Sequence, residues 1–210
     1  MTGIDGFIQR TLEPERAEDQ RIIDEGDEVE EGAVKQVFEG LHGEMIMPIQ
    51  SDEEIRQIYR DLHGKARVVN TWAVTEEGVD MFKQDRVPDK FYDVMYQEGL
   101  EHVIRETVEV FESFADHGYA YCDLSPDNIR FHNGNGIAID YLDEHAVEKL
   151  DGNPTFAAAK SYDLFTSEIT SDIPGLQPEE VERYIDKYSN HVSTEKYTGD
   201  VLADFAFKPE

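Results

Sequence analysis

The sequence predicts an α+β fold, with a β-rich first part that carries one helix and a mainly helical second part. Three observations carry this. Short apolar runs separated by Gly-containing turns occupy residues 27 to 83. A capping-box start at Ser51 introduces a single helical stretch among them. From Leu100 the apolar residues recur at three- and four-residue steps until His117-Gly118.

Residues 1–25 are mixed and charged, with Ile4, Phe7, Ile8 and Leu12 the main apolar positions, and are expected to form an arm or short helix. Residues 26–84 are expected to form the first lobe. Val29, Val34, Val37 and Phe38 are followed by the turn Gly40-Leu41-His42-Gly43 and the run Met45 to Ile49, which reads as hairpin material. Ser51 and Glu54 suit reciprocal capping of a helix reaching about His63, with Ile55, Ile58, Tyr59 and Leu62 on its buried face. Strand patterns return at Arg67 to Val74 and Gly78 to Lys83 around the turn Glu76-Glu77-Gly78.

Residues 85–210 are expected to form the second, reduced lobe. Pro88 opens a short helix, and Leu100, Val103, Ile104, Val108, Phe111 and Phe114 line one face of a long one that ends at a glycine. Two short strands, Ile129 to Phe131 and Gly136 to Ile139, flank the turn His132-Asn133-Gly134-Asn135. From Ser161 onward the pattern is helical.

The 210 residues include 47 Asp plus Glu against 19 Lys plus Arg, a formal net charge of −28, spread along the chain rather than gathered in a tail. Such a surface repels itself at low ionic strength. A Debye length of about 3 Å at 1 M salt removes most of that repulsion, so the excess is read as adaptation to a saline cytosol, as in halophilic archaea and their viruses. No basic stripe is present to release counterions, which argues against nucleic acid as the main partner. The single cysteine, Cys122, forbids an internal disulfide and fits a reducing compartment. No apolar stretch approaches the ~20 residues of a membrane span, so no membrane partner and a cytoplasmic location are expected.

The segments that carry chemistry are HGYAYCDLSPDNI at 117–129 and GIAIDYLDE at 136–144. Taken alone, Asp127-Asn128 after Pro126 reads as a turn, and so does Asp140. Together they resemble the catalytic loop and metal-binding motif of the protein-kinase superfamily: a long helix ends at a Gly, an Asp precedes Leu-x-Pro-x-Asn, and a second Asp follows a short hairpin. The resemblance implies a bilobal kinase-like fold, ATP and Mg2+ as cofactors, Asp123 as catalytic base, and Asn128 and Asp140 as metal ligands. It also implies that Asp163, in Ser161-Tyr162-Asp163-Leu164-Phe165, braces the catalytic loop. VEEGAVKQVFEG at 29–40 is similar to the family's Gly-rich loop, with Gly32 at the second glycine and Val37 at the residue covering adenine.

The chain departs from the family elsewhere. Glu30 and Lys35 occupy the first and third glycine positions, and the third-strand lysine expected near Ile46 to Pro48 is absent. Lys35 stands where with-no-lysine kinases carry their relocated phosphate-binding lysine, so it is expected both to bind the nucleotide and to serve catalysis. Its carboxylate partner would be Glu53 or Glu54, and the sequence does not choose. Tyr121 replaces the catalytic-loop His as a buried support, Cys122 replaces the Arg that reads activation-loop phosphorylation, and Asp140-Tyr141-Leu142 stands for Asp-Phe-Gly. No Ala-Pro-Glu element follows, which leans the acceptor toward a small molecule or one dedicated protein. His145 and the other histidines lack the spacing of a zinc site. The other reading is a catalytically silent pseudokinase, a binding or structural component of a larger, virion-type assembly.

Overall fold

The computed structural model describes residues 28–31, 36–39, 45–49, 53–76, 79–123, 125–142, 145–150 and 153–191. The fold is α+β, as the pattern of the sequence predicts. The chain divides into two compact units, Met1–Glu53 with Asn70–Arg86, and Glu54–Val69 with Val87–Glu210.

The first unit holds an antiparallel five-stranded sheet. Its strands are β1 (Glu28–Glu31), β2 (Gln36–Glu39), β3 (Met45–Ile49), β4 (Thr71–Glu76) and β5 (Val79–Gln84). They lie in the order β1-β2-β3-β5-β4. The ladder between β2 and β3 covers only Met45 and Ile46. Pro48 has no N–H to donate, and it lies beyond that ladder while still pairing in register with Met81 of β5. The run read in the sequence as one hairpin arm thus divides into β1 and β2, with Gly32 and Lys35 outside the described residues.

The second unit is organised around one helix. α1 (Glu53–Leu62) joins it from Glu54 on, and buries Ile58 and Leu62 of the expected face while Ile55 and Tyr59 stay half-buried. The capping serine, Ser51, lies outside the described residues. β6 (Asp89–Lys90) precedes α2 (Phe91–Glu98), so the helix expected at Pro88 begins only after a short strand. α3 (Leu100–Ala115) is the axis: Val103, Ile104, Val108, Phe111 and Phe114 are all buried. At its end Gly118 adopts φ +79°, a conformation glycine enters without strain.

β7 (Tyr119–Tyr121) follows, then a 3-10 turn at Pro126–Asn128, and the hairpin of β8 (Ile129–His132) and β9 (Asn135–Ala138). Both turn residues, Asn133 and Gly134, have positive φ (53° and 78°), which matches the right-handed twist of the paired strands. β10 (Val147–Lys149) returns to pair antiparallel with β7. α4 (Pro154–Asp172) and α5 (Pro178–Tyr188) pack on α3. α4 starts seven residues before Ser161, because Asn153 accepts the Phe156 N–H at 3.2 Å as N-cap and Pro154 takes the first helical position.

An aromatic chain fills the core of this unit. Phe91 meets Phe165 edge-on, Phe165 meets Phe111, and Phe111 and Phe114 both meet Tyr121. Removal of a ring such as Phe111 would cost about 3–5 kcal/mol. Among the described residues no helix is long and apolar enough to cross a membrane.

Candidate functional site

The site begins at β7, whose three residues are all buried. Its Tyr119 hydroxyl donates to Asp61 of α1 at 2.8 Å, and Lys149 of β10 bonds the same carboxylate at 3.0 Å. Partial burial pushes the Asp61 carboxyl up, but hydrogen bonds from Gln57, Tyr119 and Lys149 outweigh it and hold the pKa at about 2. The strand is thereby pinned at its start.

At its end, the N–H of Tyr121 donates to Ser161 Oγ at 3.0 Å, and that hydroxyl donates in turn to the Ala157 carbonyl at 3.2 Å. Ala157, Ala158 and Ala159 are buried and small, so the backbone of α4 can approach β7 closely. The residue expected to brace this loop, Asp163, is instead exposed on α4. A residue two positions away lies on a different helical face, and Ser161 is the one turned to the strand.

Beyond β7, the N–H groups of Cys122 and Asp123 both donate to the Ala146 carbonyl, at 2.7 and 3.3 Å. This fixes the chain as it leaves the core, and Asp123 emerges exposed. Ser125 then accepts the Asp127 N–H with its hydroxyl, and its carbonyl accepts the Asn128 N–H at 2.8 Å, closing the turn that Pro126 starts. Asn128 Nδ2 reaches back to the Asp123 carbonyl at 3.4 Å, and the Asn128 carbonyl accepts the Ile139 N–H at 3.0 Å.

The second acidic residue arrives through the hairpin. β9 lies against α3 at Gly136, where an added Cβ would sit 2.9 Å from the Glu106 carbonyl oxygen; the Gly136 N–H donates to the Glu106 carboxylate at 3.4 Å. That carboxylate also takes Arg67 at 2.9 Å and Arg105 at 3.0 Å. Asp140 follows at the hairpin's end, and its backbone carbonyl accepts the Tyr121 hydroxyl at 3.1 Å. The phenol is fully buried. Burial first, then the negative charges of Asp140 and Asp123, push its pKa well above the ordinary value. The segments that carry Asp123, Asn128 and Asp140 are linked at one end of β7 through Asn128, whose side chain meets the Asp123 carbonyl and whose own carbonyl meets the Ile139 N–H beside Asp140.

Asp140 and Asn128 are half-buried and Asp123 is exposed, so all three can meet a ligand from solvent. Among the described residues no group of three or more His, Cys, Asp or Glu is set to hold a metal ion. One carboxylate, Asp140, and one amide oxygen, Asn128, are a smaller set of oxygen donors, and Mg2+ commonly takes its remaining ligands from water and phosphate oxygens. Burial pushes the Cys122 thiol up, against the pull of the Lys160 ammonium, which leaves the cysteine a poor nucleophile.

Of the other expected site residues, Val37 lies in β2, and Gly32 and Lys35 fall outside the described residues. β3 carries Met-Ile-Met-Pro-Ile and no lysine. The sequence reading missed Ser161 and the Tyr121 hydroxyl bond; the buried Ala-Ala-Ala run before Lys160 is the signal that could have pointed to close packing there. No protein-family model matches the chain, and no curated protein is similar enough to it to stand as a relative.

Proposed function

We propose that the chain is an ATP- and Mg2+-dependent phosphotransferase of protein-kinase-like bilobal fold, acting on an alcohol oxygen of a small molecule or a dedicated protein. The observation that supports it is the bonding that links the three segments: the Asn128 side chain meets the Asp123 carbonyl, the Asn128 carbonyl meets the Ile139 N–H, and the buried Tyr121 hydroxyl meets the Asp140 carbonyl. In this reading Asp123 orients the acceptor hydroxyl and takes its proton. Asn128 and Asp140 would hold Mg2+, which supplies positive charge against the nucleotide phosphates. The acceptor oxygen bonds to the γ-phosphorus as the bond to the ADP oxygen breaks, and positioning and electrostatics account for most of the rate.

The sheet order supports the same reading. The hairpin β1–β2, a third strand, then a carboxylate-bearing helix and two more strands follow the element order that the resemblance implies. The net charge of −28 suits a saline cytosol in a halophilic archaeon or its virus.

A second reading, a silent kinase-fold protein serving a larger assembly, is favoured by the lysine-free β3. Thermal shift in molar salt separates the two. A ligand of micromolar affinity at millimolar concentration stabilises by about 4 kcal/mol, and for a chain of this size that corresponds to about 8–16 °C. The kinase reading expects this shift with ATP and Mg2+, together with slow phosphotransfer or ATP hydrolysis. Asp140→Ala should lose the Mg2+-dependent part and the turnover. No shift at any salt concentration would overturn the reading.

A further inference from the structure

We propose that Lys90 of β6 and Arg130 of β8 form a binding site for a phosphate group. The two residues stand directly opposite each other in the antiparallel pairing of these strands, so their side chains leave the same face with Cβ atoms about 5 Å apart. Ile129 and Phe131 are buried on the other face of β8, whereas Arg130 is half-buried and His132, on the face of Arg130, is exposed. On its other side Arg130 pairs with Ile137 of β9, whose side chain offers no acceptor. The acid beside Lys90 in the chain, Asp89, stands opposite Phe131 and so leaves the other face. Like charges directly opposite each other across a ladder repel, and an anion lying between them removes that cost.

Neither cation is answered by an acid of the described residues. In a chain with 47 acidic residues against 19 basic ones, a basic side chain has an ample choice of carboxylates. Arg67 and Arg105 both meet Glu106, and Arg183 meets Glu180. Among the described residues no carboxylate meets Lys90 or Arg130, and Arg130 Nε is buried with no hydrogen-bond partner. A buried guanidinium N–H without an acceptor is costly, and a ligand that supplies one relieves it. Phosphate suits the pair, because a guanidinium forks onto two of its oxygens while an ammonium meets a third as a point charge. Partial burial of Arg130 also protects the contact from the screening that a saline solution imposes on exposed charges. None of Asp123, Asn128 and Asp140 takes part, so the site stands whether or not the chain transfers phosphate.

The test is an NMR titration of isotope-labelled wild type, Lys90→Gln, Arg130→Gln and Arg183→Gln in molar salt without divalent metal, with inorganic phosphate, AMP and adenosine as probes. Phosphate and AMP should bind wild type, and either Lys90→Gln or Arg130→Gln should weaken both by about ten- to hundredfold, the range of a charge-assisted bond. Arg183→Gln removes the same charge from the exposed surface of α5 and should change neither beyond about twofold. Within a supported site, AMP bound more than about tenfold tighter than phosphate names a nucleotide as the source of the group, and equal affinities name free phosphate. If Arg130→Gln does not fold, the Arg130 Nε–H signal of wild type takes its place: it should move with phosphate and AMP and stay put with adenosine. Phosphate affinity unchanged in a folded Lys90→Gln or Arg130→Gln, an Arg130 signal indifferent to phosphate, adenosine bound as well as AMP, or a wild type that binds neither phosphate probe would each overturn the site. None of these outcomes bears on the phosphotransferase reading, whose own test uses ATP with Mg2+.

Discussion

Ser161→Ala isolates the bond that holds the end of β7. The Ser161 hydroxyl is fully buried and is the acceptor of the Tyr121 N–H at 3.0 Å. Water cannot reach the vacated position, so the variant leaves a buried backbone donor without an acceptor, at about 1–3 kcal/mol. For a chain of this length each kcal/mol lowers Tm by about 2–4 °C, so a fall of about 2–12 °C is expected. The assay is thermal unfolding followed by circular dichroism at fixed salt, with Ser167→Ala as the control. Ser167 is exposed on the same helix, and its substitution should stay within about 0.5 kcal/mol of wild type. Equal, small effects of the two substitutions would refute the claim that α4 braces the loop through Ser161.

Gly136→Ala sets a Cβ 2.9 Å from the Glu106 carbonyl oxygen, so the hairpin must lift from α3. A loss of about 1–3 kcal/mol is expected, read as a lower urea midpoint at unchanged m-value. Asp61 makes stability depend on acid: its folded pKa of about 2 lies below the ordinary 3.8, so its contribution is complete above 3.8 and is lost as pH falls through about 2. Asp61→Asn should flatten that limb of the stability profile, measured by urea unfolding across pH 2–5, and an unchanged limb would show that the Tyr119 and Lys149 bonds carry no linkage.

The elements legible in the sequence are those with strong periodicity or strong punctuation. α3 declares itself through Val103, Ile104, Val108, Phe111 and Phe114, and its end through Gly118; the hairpin declares itself through Asn133-Gly134. β7 and β10 carry no comparable signal. Three-residue strands are too short for alternation to register, and β7 is buried on both faces, so Tyr-Ala-Tyr reads as neither strand nor helix. Asn153-Pro154 is a strong helix start by local chemistry, yet the run Ala157 to Ala159 has no polar face to show amphipathic spacing. Order and spacing single out residues 123, 128 and 140 as a candidate trio. The brace was not legible, because whether residue 161 or 163 of α4 faces β7 depends on how the helix is rotated, which no local pattern fixes.

The bonds that assemble the trio are mostly made by the backbone. The two N–H groups of Cys122 and Asp123 meet one carbonyl, Ile139 meets the Asn128 carbonyl, and Tyr121 meets the backbone of Asp140 rather than its carboxylate. The Asn128 amide at the Asp123 carbonyl adds a side chain of the trio to these backbone bonds. Substituting the side chain of Asp123 or Asp140 removes a carboxylate charge and leaves these backbone groups in place, so under the phosphotransferase proposal such variants test the role assigned to the two carboxylates. Asn128 differs: its substitution would remove the proposed Mg2+ ligand and the contact with the Asp123 carbonyl together. The acidic pair is where a test of mechanism should start, and Asp123→Asn, nearly isosteric and exposed, is the substitution that changes charge with the least change of shape.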